Sequence, residues 1–315
     1  MRWSVAVVAL TGCSQLFGLT SPELRDAHGS SDDASDGMSD GPRNDVPIIP
    51  GSCVAQWVAG PALTTPVELG VNTTADEQAP FVTADGLDLY YSKDGEVYLS
   101  TRTAVSGAFT NGNKVGGLSS GAFEGKTFVS SNKLRAFFSS TRAGGGGGAY
   151  DLFRGSRNTP TGNFAVDTSY VGTLNTAGNE IDPHLTDDLL HIYYSTISSA
   201  SPVIALATRA TVNDNFGTPT VLTELSSGTG ETGPTLTADE LVIVFSSSRI
   251  TTVSGTNLWY ATRTNKTQPF NTPQLVPAVN SSFFDDTPHL TPDGCTLYWS
   301  SSVDGSYDLY TSHIQ

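Results

Sequence analysis

Pro288-His289-Leu290-Thr291-Pro292-Asp293-Gly294-Cys295-Thr296-Leu297-Tyr298-Trp299-Ser300 lies near the end of the chain, and its frame occurs four more times. The other copies run from Pro80 to Ser92, Thr127 to Ser139, Pro183 to Ser195 and Pro234 to Ser246, and all five align without a gap. Each copy reads as a strand, an Asp- or Asn-led turn (Asp85-Gly86, Asn132-Lys133, Asp188-Leu189, Asp239-Glu240, Asp293-Gly294) and a second strand. The second strand is apolar on both faces and carries an aromatic residue at Tyr91, Phe138, Tyr194, Phe245 or Trp299. A period of about 50 residues with strand-like content marks a β-propeller rather than a helical solenoid. A strand apolar on both faces fits a blade packed between two others.

Outward from this frame, each unit supplies two more strands. A third strand carries a shared signature, seen in Val97-Tyr98-Leu99-Ser100-Thr101-Arg102, Leu258-Trp259-Tyr260-Ala261-Thr262-Arg263 and Leu309-Tyr310-Thr311-Ser312. A fourth follows Phe109, Phe164, Phe216 or Phe270. We label the four strands a to d. The last unit stops at Gln315, directly after strand c. The stretch Cys53 to Leu69 has a d-like pattern with no a, b or c before it. It is therefore expected to be the missing outer strand of the last blade, closing the ring and removing exposed sheet edges. The expected fold is an all-β, five-bladed propeller of four-stranded antiparallel blades over 53–315. Six blades is the alternative.

Composition agrees. Of 315 residues, 37% are hydrophobic and only 15% charged, with 32 Gly, 17 Pro and about a quarter Ser and Thr. That suits short strands and turns and argues against a helical bundle. The net charge of −15, with no Lys/Arg run, excludes nucleic acid as a partner.

The N-terminus reads as a targeting segment. Val5-Ala6-Val7-Val8-Ala9-Leu10 leads into Leu10-Thr11-Gly12-Cys13, which resembles a bacterial lipobox. The resemblance implies a lipoprotein signal peptide over 1–12 and lipidation of Cys13. Residues 13–52, rich in Asp, Ser and Gly, then read as a disordered tether. The expected location is the bacterial cell envelope, lipid-anchored, with Ser14 pointing to the outer membrane. Cys53 and Cys295 are left. Cys295 stands where other units have Leu87, Leu134, Leu190 and Leu241, and ring closure puts both cysteines in one blade. In an oxidising compartment a Cys53–Cys295 disulfide is expected.

The recurring Pro-x-Leu-Thr-Pro-Asp-Gly-x-x-Leu-Tyr-x-Ser frame, followed by Asp308-Leu309-Tyr310, resembles the WD-repeat-like propeller repeat of the TolB family. The resemblance covers about 53–315. It implies an envelope protein that works through contacts with other proteins, without TolB's separate N-terminal domain.

Three residues before each repeat lies an acid: Glu77, Glu124, Glu180, Glu231 and Asp285. Strand a is innermost in a propeller, so these carboxylates are expected to ring one mouth of the central channel. They serve either as backbone hydrogen-bond acceptors in each blade or as a site for a hard cation such as Ca²⁺, the one cofactor the sequence suggests. His184 and His289, also on strand a, read as packing residues. Gly144 to Gly148 reads as a flexible b–c loop. The b–c loops differ most between units, and Tyr150, Arg249, Asp304 and Tyr307 are the candidate partner-binding residues. The expected function is a non-enzymatic, monomeric scaffold binding an envelope protein or a glycan. The alternative is a five-bladed glycoside-hydrolase-like enzyme with a central carboxylate pocket. Such an enzyme needs acids that depart from the repeat, and only Asp182 does so conspicuously.

Overall fold

The computed structural model describes residues 49–315 except 147–148, 168–170, 198–200 and 250–254. The signal peptide, Cys13 and the tether up to residue 48 lie outside the described residues, as do two of the five consecutive glycines.

A helix, α1 (Cys53–Ala59), precedes β1 (Val67–Glu68). The first blade is β2 (Glu77–Val82), β3 (Asp88–Lys93), β4 (Glu96–Thr101) and β5 (Asn113–Lys114). The second is β6 (Glu124–Val129), β7 (Arg135–Ser140), β8 (Asp151–Ser156) and β9 (Ala165–Asp167). The third is β10 (Asn179–Leu185), β11 (His191–Ile197), β12 (Val203–Thr208) and β13 (Thr220–Val221). The fourth is β14 (Glu231–Leu236), β15 (Val242–Ser247), β16 (Asn257–Thr262) and β17 (Gln274–Leu275). The fifth is β18 (Asp285–Leu290), β19 (Thr296–Ser301), β20 (Asp308–His313) and, from the other end of the chain, β1. Neighbours within each sheet are antiparallel. The inner strands touch in the cycle β2, β6, β10, β14, β18 and back to β2, so five blades close one ring. No described helix is long and apolar enough to cross a membrane.

Strand b is sandwiched by its neighbours, and β15 is buried at every position. That burial is why the b strands read as continuous apolar runs and why they dominate the core. Each complete repeat adds a pin. Arg102, Arg157, Arg209 and Arg263 donate through Nε to the a–b turn carbonyls of Gly86, Lys133, Leu189 and Glu240 at 2.6, 2.6, 2.8 and 2.7 Å. The same guanidiniums lie 4.2, 4.1, 4.4 and 4.4 Å from the ring centroids of Phe109, Phe164, Phe216 and Phe270. This accounts for the Arg and Phe columns of the repeat. The turn residue sits at positive φ in all five blades, and Gly86 and Gly294 supply it without the cost of a Cβ.

Closure departs from expectation in one respect. Val67 and Glu68 pair with Thr311 and Tyr310, and Leu63 bridges to Ile314, as an outer strand should. Cys53–Ala59, however, is helical rather than part of that strand. Ser52 caps the helix by accepting from the Ala55 N–H, and Val54 and Trp57, one turn apart, are its buried face. The fifth blade has no pin arginine. Trp57 replaces it, donating its indole N–H to the Gly294 carbonyl at 2.8 Å. The Cys53–Cys295 disulfide, with Cα atoms 5.1 Å apart, fastens the same turn. The helix supplies the geometry that brings Cys53 from the rim to the a–b turn, since Cys295 lies just before strand b rather than in it.

Candidate functional site

The five repeated acids are fully buried, and each carboxylate binds the entry loop of its own blade. Glu77, Glu124, Glu180, Glu231 and Asp285 each accept from the backbone N–H of the residue four positions earlier, at 3.0, 3.2, 3.0, 3.1 and 2.6 Å. They also accept from that residue's hydroxyl, at 2.7, 2.5, 2.6, 2.5 and 2.9 Å. Lys93, Arg142 and Arg249 pair with three of them. Their own N–H groups donate to the preceding blade's b–c loop, at Tyr307, Gly95, Tyr150, Pro202 and Thr256. The acid column therefore folds each d–a loop and stitches neighbouring blades. None of the five lines the cavity at the channel mouth. No group of three or more His, Cys, Asp or Glu among the described residues could hold a metal ion.

The mouth is lined instead by the next two positions. A bulge interrupts the a–b pairing in every blade there, between Gln78 and Phe81, Glu124 and Thr127, Ile181 and His184, Thr232 and Thr235, and Asp286 and His289. Bulges re-aim side chains, and these turn the two positions toward the axis. Ala79, Asp182 and Thr287 sit at φ of 54°, 57° and 46°. Such conformations cost on the order of 1–3 kcal/mol each and cluster at functional sites.

Three charges meet in this layer. Lys126, fully buried on β6, reaches across the axis and donates to the carbonyls of Pro288, Pro234 and Gly233 at 2.6, 3.1 and 3.3 Å. Asp182 on β10 accepts from the Gly233 N–H at 3.1 Å. Asp286 on β18 accepts from the Thr287 N–H at 2.8 Å. Burial pushes the Asp182 carboxyl up to about 6, with Lys126 opposing and Asp286 adding to the rise. Asp286 is also raised, chiefly by burial. Burial pulls Lys126 down to about 8, against the pull of both carboxylates. The cavity above them, of about 280 Å³, is open to solvent and bordered by Phe123 and Tyr150, whose rings meet edge to face 6.1 Å apart.

Below this layer Phe81, Phe128, His184, Thr235 and His289 form a packed collar. Successive ring centroids lie 4.7 Å (His289–Phe81), 5.1 Å (Phe81–Phe128) and 5.9 Å (Phe128–His184) apart. The Leu236 N–H donates to His184 Nε2 at 3.3 Å. Burial, then the nearby Lys126 charge, holds both imidazoles neutral: His184 is down at about 3 and His289 is well below its ordinary value.

Of the four candidate partner-binding residues, Tyr150 borders the cavity. Tyr307 is close enough to Asp286 to feel its charge. Arg249 is spent within its blade, on Glu231 and the Leu225 carbonyl and stacked over Trp259 at 4.7 Å. Asp304 accepts from the Tyr310 hydroxyl at 2.8 Å. Asp182 had a visible signal, an acid outside the acid column. Lys126 and Asp286 did not stand out, though both are ionisable where the other blades carry neutral residues (apart from Asp182 itself).

No protein-family model matches the chain, and no curated protein does. Solved structures do match it. A putative TolB from Agrobacterium tumefaciens is 18% identical over 73% of this chain and 71% of its own, with a TM-score of 0.45. The endo-arabinase from Bacteroides thetaiotaomicron VPI-5482 is 13% identical over 81% and 98%, with a TM-score of 0.56. The catalytic domain of the Coprinopsis cinerea GH62 alpha-L-arabinofuranosidase is 11% identical over 80% and 96%, with a TM-score of 0.52. These likenesses are of fold. They overturn the ground for expecting a chain that is not an enzyme, because structures of enzymes share its fold. The propeller structures matched over nearly their whole length are mostly glycoside hydrolases, and the unlike acids that expectation found lacking are present at the mouth.

Proposed function

We propose that the channel mouth is the active site of a glycoside-hydrolase-like enzyme acting on a glycan. The observation that carries this is the pair Asp182 and Asp286, two carboxylates outside the structural acid column that share a solvent-open cavity with one fixed cation. Two such groups, with one carboxylate's charge balanced by Lys126, divide into a protonated and an ionised member. Burial raises both carboxyls, and the proton is assigned to Asp182, which is pushed up to about 6. It keeps its proton and donates it to the leaving glycosidic oxygen. Asp286, ionised, acts as general base toward water or as nucleophile at the anomeric carbon. The Phe123–Tyr150 corner offers an apolar face for a sugar ring's C–H groups. The arabinase and alpha-L-arabinofuranosidase among the structures of this fold make arabinan and alpha-L-arabinofuranosides the first substrates to try. The proposal includes lipid anchoring at Cys13 in the cell envelope, read out as incorporation of labelled palmitate that Cys13→Ala abolishes.

The test is reducing-sugar release from a polysaccharide panel by the native protein and by Asp182→Asn and Asp286→Asn, each shown to be folded. Hydrolysis that falls at least about 100-fold in either variant supports the reading. No hydrolysis of any glycan by the native protein, or undiminished hydrolysis by both variants, refutes it.

A further inference from the structure

Lys126 has no counterpart in the repeat. Its position is filled by Ala79, Asp182, Gly233 and Thr287 in the other blades, and none of these crosses the axis in the same way. Its side chain leaves the second blade, passes under the mouth cavity and spends its N–H donors on backbone carbonyls of the fourth and fifth blades. Those carbonyls are available because the bulge after the acid column breaks their strand pairing. An ammonium with its donors so committed is neither a nucleophile nor a mobile proton donor. It is a fixed positive charge beneath two carboxylates.

We infer that Lys126 is a positioning residue of this mouth: anchored on three backbone carbonyls of the opposite blades, its ammonium keeps one of the two neighbouring carboxylates ionised while the other holds the proton. This rests on the hydrolase reading for its purpose, though not for its test. The titratable groups facing the pair are Lys126 from β6, Tyr150 and Tyr307 from the b–c loops, and the neutral His184 and His289 below, which respond to the Lys126 charge. Lys126 is the one cation among them at neutral pH. Without it, no cation offsets the charge of the two carboxylates, and the ionised one gains proton affinity.

The experiment is a pH titration of the Asp182 and Asp286 carboxyl carbons by ¹³C NMR, in the full chain and in Lys126→Gln and Lys126→Met. Gln keeps donors for the carbonyls without the charge, so it preserves the fold should the Met variant not fold. The expected result in the folded variant is that the lower of the two titrations rises by about one unit or more, a tenfold gain in proton affinity. A merely structural pin would lower the melting temperature and leave both titrations in place, and that result overturns the inference. The titration needs no substrate. A native protein that hydrolyses nothing while the titrations move with Lys126 sinks the hydrolase reading and leaves this one standing.

Discussion

Cutting the disulfide should show how much of the ring depends on its seam. Cys53 and Cys295 are 242 residues apart, so their bridge closes nearly the whole propeller into one loop. On the chain-entropy model, a loop of that length removes about 5 kcal/mol of freedom from the unfolded chain. In a domain of this size that corresponds to roughly 10 °C or more in melting temperature. Cys53→Ser with Cys295→Ser is the perturbation, followed by thermal unfolding monitored by circular dichroism without reductant. Trp57→Phe provides a second arm, because it removes the indole hydrogen bond to the Gly294 carbonyl, worth about 1 kcal/mol, together with part of a buried ring. The two changes act on one turn and should be strongly non-additive, since freeing Cys53 also loosens the helix that presents Trp57. Hydrogen exchange localises the effect. The Thr64 amide, bonded to the His313 carbonyl, and the Leu69 amide, bonded to the Leu309 carbonyl, should lose protection first. A serine variant melting within about 2 °C of the native protein, with those amides still protected, would refute the view that the bridge holds the seam.

Two further outcomes separate scaffold from site. Glu180→Ala leaves the Thr176 N–H and hydroxyl without their acceptor, at a cost of about 1–3 kcal/mol. Melting temperature should fall by several degrees while hydrolysis per folded molecule stays unchanged; a lost rate in a fully stable variant would return the acid column to the active site. Asp182→Asn should do the opposite. Its folded carboxyl titrates near 6 against 3.8 when free, so the raised value opposes folding only once the unfolded carboxyl ionises, increasingly as pH climbs from about 4 to 6. The variant should match the native melting temperature at pH 4 and exceed it at pH 8, where its stability is greater by up to about 3 kcal/mol; a lower melting temperature at pH 8 would contradict the cost assigned to burying that charge.

The propeller was legible because a blade repeats its physics. Strand b must be apolar on both faces in every wedge, the turn must open with Asp or Asn, and the pin needs its Arg and Phe, so each constraint appears five times, or four plus a substitute. The bridge was legible because Cys295 breaks a leucine column. The helix at Cys53–Ala59 was missed although Ser52 before Cys53, with Val54 and Trp57 one turn apart, is a readable capped start; about two turns of helix are easily taken for strand when a strand is wanted there. The residues that line the mouth stand one and two positions after the acid column, for a deeper reason. Repetition marks what every blade needs, and every blade needs an acid to fold its d–a loop. A single central site needs residues no other blade has, and Lys126, Asp182 and Asp286 are departures at the two positions after the acid. The bulge that aims them inward leaves no signature of its own in the sequence.

The measurement that bears most directly on the account is kcat/KM against pH for the best-hydrolysed glycan, native protein beside Asp182→Asn. The account predicts a native profile that falls as pH rises through about 6, where Asp182 loses the proton it must donate, and an Asn variant whose small residual rate lacks that descending limb. A native rate indifferent to pH between 5 and 8, or an Asn variant that keeps both rate and profile, would contradict it.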